Sequence, residues 1–146
     1  MSLSGDYDSQ NVFAKILRGE LPAYKVYEDD HVVSFLDAFP QSRGHILVVP
    51  KVVEARNILD IDPENLSRVI VVVQKLARAL VDELQPEGVQ VKQFNGAPAG
   101  QSVFHLHFHI IPCYSGQSLG RHAQGKADPA ELEDLQQRLI KRIGSL

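Results

Sequence analysis

The chain predicts an α+β domain: an antiparallel sheet of about five strands, a long helix packed on it, and a second helix at the C-terminus. Three observations carry that expectation. Short β-branched and aromatic runs bounded by turn residues recur at Tyr24 to Tyr27, Val32 to Leu36, Ile46 to Val49, Val89 to Phe94 and Gln101 to Pro112. One apolar run continues from Pro63 to about Leu84, opened by Asp62-Pro63 and closed near Pro86-Glu87-Gly88, which is helical length and helical punctuation. A last amphipathic stretch follows Asp128-Pro129-Ala130-Glu131 and carries Leu132, Leu135, Leu139, Ile140 and Ile143. With 146 residues, 44% of them hydrophobic, the chain has one domain's length and ample material for a core.

Composition excludes several classes. The net charge is −3 with acids and bases intermixed, so no basic face for nucleic acid is expected. Residues 1–10 form a polar, acidic tail without an apolar signal region, and no run approaches the ~18 apolar residues of a membrane span. Cys113 is the single cysteine, which rules out an internal disulfide and a multi-thiolate zinc site and suits a reducing compartment. A cytoplasmic protein is the expectation.

Taken in order, Ser9 to Gly19 reads as a short helix capped by Ser9 or Asn11, with Val12, Phe13, Ile16 and Leu17 as its apolar stripe and Gly19 as its stop. Two short strands follow around the turn Glu28-Asp29-Asp30. The loop from Asp37 to His45, punctuated by Pro40 and Gly44, leads into the strand Ile46 to Val49. On the long helix, Val69 to Val73, Leu76, Ala77, Leu80, Val81 and Leu84 make a stripe too wide for one packing face. Such a helix needs a second partner, either another subunit or the C-terminal segment of its own chain.

The stretch with chemistry is Gln101-Ser102-Val103-Phe104-His105-Leu106-His107-Phe108-His109-Ile110-Ile111-Pro112. Read as one strand, its alternation puts His105, His107 and His109 in a row on one face and Phe104, Leu106, Phe108 and Ile110 on the other. Two uses of such a row stand open. His105 and His107, about 6.6 Å apart, could share a metal ion, but a third strong ligand would have to come from elsewhere. Alternatively one imidazole is a nucleophile towards phosphorus, with its other nitrogen held by an acceptor. The preceding run, Asn95-Gly96-Ala97-Pro98-Ala99-Gly100-Gln101-Ser102, favours phosphate. Its glycines let backbone approach a ligand closely, and Asn95, Gln101 and Ser102 can donate to phosphate oxygens.

Gly100-Gln101-Ser102-Val103-Phe104-His105-Leu106-His107-Phe108-His109-Ile110-Ile111 resembles the signature of the histidine triad (HIT) family, in which His-x-His-x-His follows Gly-Gln-Ser/Thr. The resemblance extends over residues 11–112, leaving 1–10 as a tail and 113–146 as a connector and helix. It implies a HIT-like fold, commonly a homodimer across the long helix, and hydrolysis or transfer at the α-phosphate of purine nucleotide esters, anhydrides or phosphoramidates through a covalent nucleotidyl-histidine.

By that resemblance His107 is the nucleophile and His105 orients it through its backbone carbonyl. His109, Ser102 and Gln101 stabilise phosphoryl oxygens or the departing group. Phe13, Ile16 and Phe35 contact the base, Asp37 binds the ribose hydroxyls, and His45 lies near the phosphate. Two departures are visible. Some zinc-binding relatives carry Cys-x-x-Cys where Asn11 to Ala14 stand, so no zinc is expected, and no cofactor beyond a divalent cation accompanying a polyphosphate substrate. Relatives often place Asn or Gln where Phe94 stands, which leaves Asn95 as the candidate for that phosphate contact. The alternatives are a diadenosine polyphosphate hydrolase or phosphorylase on the same scaffold, a nucleotide-binding regulatory module, and a metal-binding protein. Read alone, Asp37 is a turn residue and His45 a strand-start histidine bonded to backbone. Arg121 or His122 of the connector could reach a leaving group.

Overall fold

The structure is a computed structural model that describes residues 3–120 and 125–144. Arg121 and His122 lie outside the described residues. The elements in chain order are α1 (Val12–Leu17), β1 (Lys25–Glu28), β2 (Val32–Leu36), β3 (Ile46–Pro50), α2 (Pro63–Leu84), β4 (Gly88–Lys92), β5 (Phe108–Cys113) and α3 (Pro129–Gly144). The five strands form one antiparallel sheet in the order β1-β2-β3-β5-β4, the α+β architecture the sequence predicts.

Local chemistry sets the boundaries. The Asn11 side chain accepts from Ala14 N and caps α1, two residues after the alternative cap Ser9, whose carbonyl is taken by Arg18 Nη1 at 2.6 Å. Asp29 turns the β1–β2 hairpin by accepting from the amides of His31 and Val32 at 2.7 and 2.8 Å. Asp62 caps α2 ahead of Pro63. Gln85 ends that helix in the left-handed region at φ 53°, where the following Pro86 disfavours continued helix.

Two cores flank the sheet. One face, with Val32, Leu36, Ile46, Val48, Leu106, Phe108 and Ile110, is covered by α2 and α3. The other carries Val33, Phe35, Leu47 and Val49 beneath Phe13 and Ile16 of α1. Leu47 pairs with Phe35 on one side and His109 on the other, so His109 stands on the α1 face.

The histidine strand is shorter than predicted. Only Phe108–Cys113 is strand, and residues 103–105 form a bend, so His105 and His107 are not members of a continuous ladder. The reason lies on β3. Pairing runs Ile46↔Ile110, Leu47↔His109, Val48↔Phe108 and would continue with Val49 opposite His107 and Pro50 opposite Leu106, but Pro50 has no N–H to give and its carbonyl is taken by the His105 ring. Leu106 N turns instead to Ala55 O at 2.8 Å. The face expected to carry the imidazoles is also an apolar packing face.

Helix α2 buries Val69, Val72, Val73, Leu76, Ala79 and Leu80 against the sheet and α3, but Ile70 (44%), Val71 (65%) and Val81 (39%) remain exposed. On α3, Leu132, Leu135, Leu139 and Ile143 are buried as the spacing predicts, whereas Ile140 faces out. Among the described residues no helix is long and apolar enough to cross a membrane.

Gly44, at φ +95°, joins the helical layer to the loop that ends in His45, and a Cβ placed there would meet Leu84 Cδ1 at 2.5 Å and Leu80 Cδ1 at 3.2 Å. Gly44→Ala combines positive-φ strain with overpacking and should destabilise the fold by about 2–4 kcal/mol, measured by urea unfolding. Unchanged stability would show that α2 yields at this contact.

Candidate active site

The three histidines of the motif converge although they share no common strand. His105 is 1%, His107 7% and His109 4% exposed. The rings of His107 and His109 lie 5.0 Å apart at 60°, and Phe13 of α1 presents an edge-to-face contact to His107 at 4.8 Å and 82°.

Backbone partners fix the state of each ring. His107 Nδ1 is 2.7 Å from His105 O, and since a carbonyl only accepts, the proton is on Nδ1 and the lone pair on Nε2. His105 Nε2 lies 3.0 Å from Pro50 O and is therefore protonated, so its Nδ1 accepts from the Tyr7 hydroxyl at 2.6 Å. Burial, only partly opposed by the bond to Pro50 O, pushes the pKa of His105 from 6.5 down to about 4.

On the other flank, the Gln41 amide donates to His45 Nδ1 at 3.0 Å. His45 must then carry its proton on Nε2, which donates to His109 Nδ1 at 2.9 Å with Asp37 Oδ2 at 3.6 Å. His109 in turn carries its proton on Nε2. Neighbouring imidazoles thus hold opposite tautomers, one with a lone pair on Nε2 and the other with an Nε2–H.

A cavity of about 630 Å³ is lined by Phe13, Ile16, Leu47 and Phe35 from the α1 face, by Asp37, and by Pro129 and Leu132 at the start of α3; none of the four histidines is in its wall, which meets the cluster through Phe13 against His107 and Asp37 against His45. Its volume and mostly apolar wall suit a small organic ligand. Asp37 is buried, its backbone N bonded to His45 O and its Oδ1 accepting from Phe39 N. A second recess, about 300 Å³, holds Ser102, Arg56, Asn11 and Val12.

Not every candidate residue points its polar atoms at this space. Gln101 accepts from Gly96 N at 2.8 Å and donates to Arg56 O and Val103 O at 2.8 and 3.0 Å. Asn95 accepts from Ile58 N and Gln93 Nε2 and donates to Gln93 Oε1. Both amides tie loops together, while Ser102 is exposed in the smaller recess. Sequence reasoning did not single out Tyr7, Pro50 O or the Gln41 amide, and it gave Phe94, whose ring lies 5.5 Å from that of His109, only as a departure from relatives. Of the first three only Tyr7 carried a signal, as the one aromatic residue in a polar tail.

Comparison with known proteins places this arrangement. The HIT domain family model matches residues 18–116. The chain belongs to the HIT family. A Hit-like protein of Bartonella henselae, described as involved in cell-cycle regulation and solved with an unknown ligand, is 44% identical with a TM-score of 0.86 over 94% of this chain and 99% of that one. A zinc-bound HIT family protein of Mycobacterium smegmatis is 32% identical with a TM-score of 0.80, covering 93% of this chain and 94% of that chain. Adenylylsulfatase HINT3 of Arabidopsis thaliana is 36% identical over 118 residues, 77% of this chain and 59% of that protein.

The zinc in the mycobacterial HIT protein raises the question of a metal here. At the Cys-x-x-Cys positions, Asn11 Oδ1 is committed to the cap of α1 and Ala14 has no donor atom. Asp37, His45 and His109 bring three potential ligand atoms within 4.8 Å of one another. That set does not fit as arranged, because His45 and His109 share a proton, and a neutral His45 ligating through Nε2 would need its proton on Nδ1, where the Gln41 amide already points.

The pKa of His105 has a consequence for acid stability. Because the folded value lies below the unfolded one, the unfolded chain takes up a proton below pH 6.5 that the folded chain refuses until about pH 4, so stability is lost across that window as pH falls. In His105→Gln the decline in urea-unfolding free energy between pH 6.5 and 4 should be smaller by about 3 kcal/mol. An identical pH profile would place the acid sensitivity in other groups.

Proposed function

We propose that this HIT protein cleaves the α-phosphate linkage of purine nucleotide esters, anhydrides or phosphoramidates, using His107 as a covalent nucleophile. The observation that carries the reading is the pair of opposite tautomers. A nucleophilic imidazole needs a lone pair on one nitrogen and an acceptor on the other, and His107 has both through His105 O.

The His107 Nε2–phosphorus bond forms as the bond to the leaving group breaks, and the departing group takes a proton from solvent. Water then attacks phosphorus, releases a proton to solvent, and regenerates the imidazole. His109, whose Nδ1 accepts from His45 Nε2, carries its proton on Nε2 as a hydrogen-bond donor, so its part is to stabilise charge on the phosphoryl oxygens. Support for a nucleoside comes from the cavity, where Phe13, Ile16 and Phe35 offer apolar surface to a base and the Asp37 carboxylate can accept from a ribose diol. His45 acts through His109. Ser102 remains a candidate phosphate donor, while Gln101 and Asn95 act by shaping the loops.

Wild-type protein should turn over at least one of adenosine 5′-phosphoramidate, a fluorogenic AMP ester, adenylyl sulfate and diadenosine polyphosphates. His107→Ala should lose roughly 10³-fold or more in kcat. Acid quenching during turnover should leave a nucleotidyl adduct on the wild type and none on the variant, read by mass spectrometry. Equal turnover by the two proteins would remove His107 as the nucleophile.

The same reading includes a homodimer across α2. Ile70, Val71 and Val81 leave an apolar strip on α2, and β4 ends the sheet with Val91 half-exposed. Sedimentation of the wild type should report twice the 16.2 kDa chain mass and that of Val71→Arg a single chain, with the fold intact because Val71 is exposed. A variant still at twice the chain mass would move the interface elsewhere.

A further inference from the structure

Tyr7 lies in the segment before the span that matches the family, yet it touches the residue on which the nucleophile rests. Among residues 3–10 it alone is half-buried. Its hydroxyl is 2.6 Å from His105 Nδ1, and the two rings meet edge to face at 5.7 Å and 68°. The segment is tied down on either side: Asn57 Nδ2 donates to Leu3 O at 2.8 Å, and Arg18 Nη1 donates to Ser9 O.

His105 sits in a bend, outside any strand ladder, so few backbone bonds fix its orientation. Its ring is held at both nitrogens, by Pro50 O on Nε2 and by Tyr7 on Nδ1, and its carbonyl accepts from His107 Nδ1. Since Pro50 O can only accept, the hydrogen between Tyr7 and His105 belongs to the tyrosine. Removing that hydroxyl would leave a buried nitrogen without its donor and let the ring, and the carbonyl behind it, tilt away from His107.

We infer that Tyr7 is a positioning residue for the His107 nucleophile: its hydroxyl clamps His105 so that the His105 carbonyl holds His107 with the lone pair on Nε2, and the site is competent only with the N-terminal segment docked. This rests on the nucleotidyl-transfer reading above. The part the segment plays is orientation, without contact with the reacting phosphorus.

The test compares wild type with Tyr7→Phe, which keeps the ring, and Tyr7→Leu, which removes it. In Tyr7→Phe, kcat with the best nucleotide substrate should fall on the order of tenfold while KM stays within about twofold, because the nucleoside cavity is untouched. The imidazole ¹⁵N spectrum should show His105 Nδ1 losing its hydrogen-bond shift and His107 losing a fixed tautomer. Tyr7→Leu should do no less. A Tyr7 that merely braced the fold would lower the melting temperature and leave the His107 nitrogen signals and the kcat against KM split unchanged well below it, and that result overturns the inference. If the wild type turns over none of the substrates, the nucleotide reading falls on its own, and the ¹⁵N spectra alone decide the clamp: unchanged His105 and His107 signals in Tyr7→Phe overturn it, and shifted ones support it.

Discussion

A backbone carbonyl can only accept a proton and a backbone amide can only donate one, and three such groups decide the ring states of four histidines in this protein. Pro50 O accepts from His105 Nε2 and so keeps the proton there, His105 O does the same for His107 Nδ1, and the Gln41 amide forbids a proton on His45 Nδ1 and thereby hands His109 its tautomer. Side chains could exchange roles with pH or ligand; main-chain groups cannot. The asymmetry between His107 and His109 is therefore built into the fold.

The sheet brings those main-chain groups together. Leu47 pairs with His109 and lies beside Phe35, so one β3 residue sets both the donor histidine and part of the cavity wall. The end of the same strand, Pro50, stops the ladder and turns its carbonyl to His105. Had the strand run on as a regular ladder, His105 and His107 would have been spaced along a flat row about 6.6 Å apart. The bend lets the His105 carbonyl approach the His107 ring.

Much of the fold was legible in the sequence because its punctuation is local. Asp62-Pro63 and Pro86 bracket α2 where the chain is read, and Asp29 marks the hairpin between β1 and β2. The end of the histidine strand was not legible, because the residue that limits it, Pro50, sits on another strand some fifty positions earlier. The site was legible in its residue types and less so in their duties. Phe13, Ile16, Phe35 and Asp37 do line one cavity. The Gln41 amide was invisible, because every residue but proline has the same amide, and Tyr7 showed only as the one aromatic residue in a tail whose composition suggests solvent.

Gln101 illustrates a wider point about reading function from a motif. Its side-chain amide links Gly96 and Val103, both in the connection between β4 and β5, to Arg56, so that two loops around the histidines hang from one planar group. A glutamine inside a signature sequence invites a chemical role, but here its amide works as a rivet. Screens that score variants by activity alone would enrol it among the chemical residues, and only a parallel measure of folded yield would sort the architecture of the pocket from the chemistry inside it.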